Sequence, residues 1–265
     1  MSVIKLEKQG PIAILTLNRP DMMNALGQEG DGAAVVAACA EIEADPDIRC
    51  AILTGSGRAF SAGGDVKAMR DRQGAFAGSP YNVREGYRRN IHQIVKSLYN
   101  LEVPLIAAVN GAAIGLGCDV ACMADVRISS DKAKFISAYT ASALTPDGSS
   151  TYFLAKHIGL LRAKELQMTN RMLTAEEACD WGMVSRVVPH DDLMEEAMKM
   201  ARKFASGPTA AYGGVKRLAL TAFSGEMEAQ LDKESISISS LMRGHDAPHG
   251  IKSFLHKEKP DFKGS

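Results

Sequence analysis

The chain has no excess of charge of either sign: 31 Lys and Arg stand against 31 Asp and Glu. That balance leaves no broadly basic face, so nucleic acid is not an expected partner. Long apolar runs are missing as well. The most apolar segment, residues 103–126, is broken by Asn110, Asp119, Asp125 and several glycines, which excludes a membrane-spanning helix there. The first eight residues place Lys5, Glu7 and Lys8 where a secretory leader would be apolar, so a cytoplasmic location is expected. Cysteine is scarce and odd in number. Cys39, Cys50, Cys118, Cys122 and Cys179 lie among apolar neighbours and read as small buried hydrophobes without disulfides. Cys118 and Cys122 are one helical turn apart, but no second pair or nearby histidine completes a zinc site, and no metal is expected.

What is present fits one large domain, or one domain with a small appendage: 265 residues, 46% hydrophobic and 23% charged. Residues 12–17, 50–54, 105–109 and 126–129 read as short apolar strands. Helical periodicity runs over residues 33–44, 87–101 and 117–123. Strands alternating with helices imply a largely parallel sheet with right-handed crossovers. After Thr151 the pattern turns almost wholly helical, over residues 152–158, 161–168, 175–181, 193–206, 210–223 and 230–242. The expected fold class is α/β: a core over residues 1–200, then a helical C-terminal region over 201–265. That region has more apolar faces than it can bury alone, which points to subunit packing. Residues 71–90, with Gly74, Gly78 and Pro80, read as a mobile lid.

The most informative stretches are Arg58-Ala59-Phe60-Ser61-Ala62-Gly63-Gly64-Asp65 and Asn110-Gly111-Ala112-Ala113-Ile114-Gly115-Leu116-Gly117-Cys118-Asp119. Each is a small-residue loop that follows an apolar run and opens into a helical pattern. Such loops leave backbone N–H groups unpaired at a helix start, where the macrodipole adds positive potential. Two of them, converging, would hold an oxygen that develops negative charge.

Together with Leu17-Asn18-Arg19-Pro20, Asn24-Ala25-Leu26, Pro104-Leu105-Ile106-Ala107-Ala108-Val109, Ala133-Lys134-Phe135 and Trp181-Gly182-Met183-Val184, these stretches carry a resemblance over nearly the whole chain. The chain resembles the crotonase (enoyl-CoA hydratase/isomerase) superfamily. The resemblance implies a spiral of ββα turns, a homotrimer or dimer of trimers formed through the helical C-terminal region, which also covers the active site, and acyl-CoA thioester substrates. It implies no cofactor beyond the coenzyme A carried by the substrate. The thioester enolate would be held by the backbone N–H groups of Gly64 and Leu116. Ala62, Asp65, Val66 and Lys67 would grip the CoA moiety, mostly through backbone, and Tyr139 would line the acyl pocket.

The hydratases of this superfamily use two glutamates, at positions where this chain has Asp119 and Tyr139. Asp119 is one methylene shorter, and a tyrosine does not replace a carboxylate, so the usual water-holding pair is broken. A different carboxylate is offered by Asp147 in Thr145-Pro146-Asp147-Gly148. Pro-Asp-Gly is also an ordinary turn signature. The surrounding residues are similar to a subgroup that includes the enoyl-CoA isomerase of phenylacetate degradation, where an aspartate here shuttles a proton. The leading expectation is therefore double-bond isomerisation with Asp147 as base, and hydration by Asp119 and Asp147 is the alternative. A third reading resembles 4-chlorobenzoyl-CoA dehalogenase, with Asp147 at the nucleophile and His92 at the base. Gly64 and Tyr139 stand where that enzyme's bulky rings would be, and the chain has one tryptophan. A non-catalytic CoA- or RNA-binding relative is the last alternative, opposed by the balanced charge and the retained candidate base.

Overall fold

In a computed structural model of the chain, which describes residues 2–222 and 224–265, two sheets are wound together and covered by helices. The strands, in chain order, are β1 (Ile4–Gln9), β2 (Ile12–Leu17), β3 (Cys50–Gly55), β4 (Ala59–Ser61), β5 (Leu105–Val109), β6 (Ala112–Ile114), β7 (Val126–Ser130), β8 (Lys134–Ile136), β9 (Leu173–Thr174) and β10 (Arg186–Val188). The large sheet has the order β1-β2-β3-β5-β7-β10, parallel except for the β1–β2 hairpin. The small sheet has the order β4-β6-β8-β9. Each central strand of the large sheet turns directly into one of the small sheet: β3 into β4, β5 into β6, β7 into β8. That repeat is the expected ββα spiral.

Strand β5 is apolar throughout, and β3 from Cys50 to Leu53, because both their faces are covered. Ala51, Leu53, Leu105, Ala107 and Val109 point into the main core, with Leu15, Val35, Ile42, Ile91 and Ile94. Their alternates, Cys50, Ile52, Ile106 and Ala108, face the helix Leu193–Ala205 through Leu193, Ala197, Ala201 and Ala205. The period of two along each strand separates the cores.

This packing moves the expected domain boundary. Helix Leu193–Ala205 crosses position 200 and belongs to the core, because its small apolar stripe seals the back of the large sheet. The helical arm starts at Thr209, with helices Thr209–Thr221, Met227–Leu241 and Asp246–His256. The expected helix end at Phe223 lies outside the described residues. Strands β9 and β10 also interrupt the segment read as almost wholly helical.

One further expectation changes. Residues 87–101 form two helices, Pro80–Arg89 and Ile91–Asn100, which meet at Asn90. The side chain of Asn90 accepts from Gly32 N at 2.6 Å and donates to Gly27 O and Gln28 O, and this ties the junction to a distant loop. The segment read as a lid forms that first helix and a turn at Gly74–Phe76, with Phe76 buried. No helix among the described residues is long and apolar enough to cross a membrane.

The Asn18–Leu26 segment has a structural task. Arg19 forms a two-pronged ion pair with Asp31, Nη1 to Oδ2 at 2.8 Å and Nη2 to Oδ1 at 2.6 Å. Asp31 is 2% exposed and also accepts from Gly27 N and Gln28 N. Removing one partner of a buried pair leaves the other charged and desolvated. Arg19→Met is expected to lower unfolding free energy by about 3 kcal/mol, read as a lower urea midpoint at unchanged slope.

Candidate active site

Strand β4 ends at Ser61, and the chain turns through residues 62–65 into the helix Val66–Arg70. Asp65 caps that helix, accepting from Lys67 N at 3.1 Å and Ala68 N at 3.0 Å, and Gln28 Nε2 donates to its other oxygen at 2.9 Å. Strand β6 turns through Gly115 into the helix Leu116–Cys122. The two turns touch. Gly63 has φ +84°, and a Cβ there would sit 2.4 Å from Ile114 O and 3.2 Å from Leu116 N. A Cβ on Gly117 would meet Ser61 O at 2.4 Å. Glycine is required at both positions by contact distance, not by flexibility alone.

Leu26 fixes the first turn by donating to Gly63 O at 2.7 Å and accepting from Asp65 N at 3.0 Å. Ala62 N is spent on Met23 O. This pattern leaves the N–H of Gly64 free, and that of Leu116 is an orphan of the first helical turn. Neither donates a hydrogen bond among the described residues.

Both residues line a cavity of about 500 Å³. Of the residues singled out from sequence, Ala62, Gly64, Val66, Leu116, Tyr139 and Asp147 are on its wall. Asp65, Lys67 and Asp119 are not: Asp65 is turned to its cap, Lys67 is exposed, and Asp119 lies behind Tyr139. Apolar side chains of Met69, Ile91, Ile114 and Leu144 complete most of the wall. Asp147 is the only acidic residue on it, and Tyr139 the only aromatic one, among the described residues. Trp181 is elsewhere, beneath Arg162 and Arg171.

The ionisable groups form one cluster. Burial pushes the Asp147 carboxyl above the usual range, with the hydroxyls of Tyr87 and Tyr139 and the ring of His92 drawing it back part of the way. Its Oδ1 is buried without a hydrogen-bond partner. Burial pushes Asp119 up to about 7, although Tyr139 Oη donates to its Oδ2 at 2.6 Å. Burial, with Lys96 adding to it, holds His92 below the ordinary histidine value. Its ring centroid is 6.2 Å from that of Tyr87. The hydration alternative gives Asp119 a share of the chemistry with Asp147. Here it is 1% exposed and bound to a tyrosine twenty residues away. Tyr87 was missed, because a lone tyrosine in a segment read as a lid carries no signal.

Paired glycine-rich turns at one end of a ββα spiral put two free amides on a largely apolar cavity, an arrangement able to hold an oxygen that develops negative charge. A family model described as enoyl-CoA hydratase/isomerase matches residues 7–265. The chain is 35% identical to the 1,2-epoxyphenylacetyl-CoA isomerase of Escherichia coli K12, over 96% of this chain and 95% of that one. It is 31% identical to the 2,3-dehydroadipyl-CoA hydratase of the same organism, with both chains covered in full. The crystal structure of an enoyl-CoA hydratase from Bacillus anthracis superposes with a TM-score of 0.90 at 29% identity, covering 99% of this chain and 100% of that one. The chain belongs to the enoyl-CoA hydratase/isomerase family, within the crotonase superfamily, and is an acyl-CoA enzyme.

Proposed function

We propose that this enzyme shifts the double bond of an enoyl-CoA, from position 3 to position 2, with Asp147 as the single base. The N–H groups of Gly64 and Leu116 receive the thioester oxygen. Asp147 removes a proton from C2, negative charge moves onto that oxygen, and the same carboxyl returns the proton at C4. Ala62, Asp65, Val66 and Lys67 meet the CoA moiety. The observation that carries this reading is that one acidic side chain stands on the cavity wall. Hydration requires two carboxylates to hold and activate a water, whereas a 1,3 proton shuttle requires one. The burial that raises Asp147 also makes it a stronger base once ionised. Activity therefore falls as acidification protonates it, at a pH above that of an ordinary aspartate.

The hydratase reading draws on the relatives named for that activity. A 3-enoyl-CoA is expected to gain conjugated-thioester absorbance rapidly, while crotonyl-CoA loses it at least about tenfold more slowly. The reverse order of rates would make this a hydratase. We place the enzyme in the cytoplasm as a homotrimer or dimer of trimers. Val215, Met227, Leu231, Ile236 and Ile238, exposed on the C-terminal helices, are the apolar surface such packing would cover.

A further inference from the structure

We infer that Ser61 is a positioning residue for the paired amides: its hydroxyl and its Cβ fix how the N–H of Gly64 lies relative to that of Leu116. The inference rests on the reading of those two amides as the grip on the thioester oxygen. Each other N–H of the first turn is used inside the protein. Ala62 donates to Met23 O at 2.8 Å and Asp65 to Leu26 O at 3.0 Å. The N–H of Gly63 donates to Ser61 Oγ at 3.1 Å. A buried amide needs such a partner, and with it supplied by Ser61 the turn keeps only the Gly64 N–H for substrate. The same hydroxyl donates to Asn24 O at 2.8 Å, so its proton and a lone pair are both committed. Asn24 is itself held on every side. It is 1% exposed, its Oδ1 accepts from Arg19 N and Ser56 Oγ, and its Nδ2 donates to Ser56 O and Ala59 O. Ser61 thus ties the turn to a loop that is fully bonded.

On its other side Ser61 meets the second turn. A Cβ on Gly117, the residue after Leu116, would lie 2.7 Å from Ser61 Cβ as well as 2.4 Å from Ser61 O. One residue therefore bonds the turn that carries the first donor and abuts the turn that carries the second. The pairing of β4 with β6 slips just before it: Ala59 lies opposite Ala112, and Ser61 opposite Ala113. A bulge of this kind re-aims the side chain that follows it. Ser61 is also wholly buried. A buried hydroxyl costs free energy unless it is bonded, so space-filling alone does not call for one here.

The experiment compares wild type with Ser61→Ala and Ser61→Cys by two readouts, with melting temperature as the folding control. One is kcat and KM for 3-enoyl-CoA isomerisation. The other is the infrared carbonyl frequency of bound hexanoyl-CoA labelled with carbon-13 at its thioester carbon. Two amides on one oxygen polarise the carbonyl and lower its frequency below that of the free thioester. In Ser61→Ala the N–H of Gly63 loses its acceptor and the turn relaxes. Its kcat is expected to fall about fivefold, the worth of one buried hydrogen bond, with KM nearly unchanged and part of the frequency shift lost. Ser61→Cys keeps a weak acceptor of similar shape and is expected to fall between wild type and Ser61→Ala in both readouts. A role in folding alone would lower the melting temperature and leave kcat and the carbonyl frequency of the folded protein at wild-type values. That result overturns the inference. Should Ser61→Ala fail to fold, Ser61→Cys decides by the same readouts, and wild-type values in both would sink it. A wild-type complex whose carbonyl absorbs at the frequency of the free thioester would instead remove the paired amides as the grip. A shifted wild-type carbonyl that Ser61→Ala leaves unmoved would remove only the role of Ser61.

Discussion

Asparagine at position 147 is expected to lower turnover of a 3-enoyl-CoA by about 10³-fold while leaving affinity for acyl-CoA nearly unchanged. The substitution keeps the shape of the side chain and an oxygen facing Tyr87 and Tyr139. It removes only the pair of electrons that takes the proton. The groups proposed to grip the thioester and CoA come from the two turns, and Asp147 belongs to a different segment. Loss should therefore fall on kcat and not on binding, as for an interaction made only in the transition state. Calorimetric titration with an unreactive acyl-CoA checks the affinity, and product analysis by mass spectrometry checks the chemistry. A variant that still turns over at near the wild-type rate would leave the cavity with no base on its wall.

The contrast between what was legible and what was not follows from the range of the forces involved. Strands β3 and β5 could be read because strands buried on both faces are almost wholly apolar. The glycine turns could be read because no other residue fits where two backbones pass at contact distance. Strands β4, β6 and β8 were hidden. Each is three residues long, too short for a period, and its pairing lies with a strand tens of residues away. The break at Asn90 was hidden for the same reason: its partners, Gly27, Gln28 and Gly32, lie about sixty positions upstream. Asp147 was found through its motif, but its environment was not. Tyr87, Tyr139 and His92 reach it from three separate segments, and the 2.6 Å bond between Tyr139 and Asp119 has no trace in local pattern. Sequence disclosed which residues could do chemistry, and only the packing disclosed that Asp119 stands behind the wall.

Proline at position 64 is the second large expected effect, because it replaces the proposed donor hydrogen with a ring carbon. Gly64 has no positive φ, so its backbone does not require glycine for that reason. Its neighbours in the Leu26 clamp, Gly63 O and Asp65 N, keep their hydrogen bonds when Gly64 loses its N–H. The first obstacle to a side chain there is Met69 Cε, 2.7 Å from an added Cβ and the free end of a flexible chain. The fold should survive, with melting temperature as the control. The amide itself forms no internal hydrogen bond, so its removal carries no folding cost from that source. If it binds the enolate oxygen, losing it costs about 3–4 kcal/mol of transition-state stabilisation, or a fall of about 10²–10³ in kcat. That loss should be similar for isomerisation of a 3-enoyl-CoA and for exchange of the C2 proton with deuterated solvent, since both pass through the same enolate. Full exchange in a folded Gly64→Pro protein would mean that the paired turns do not stabilise the enolate, and that their glycines serve only the close contact between strands.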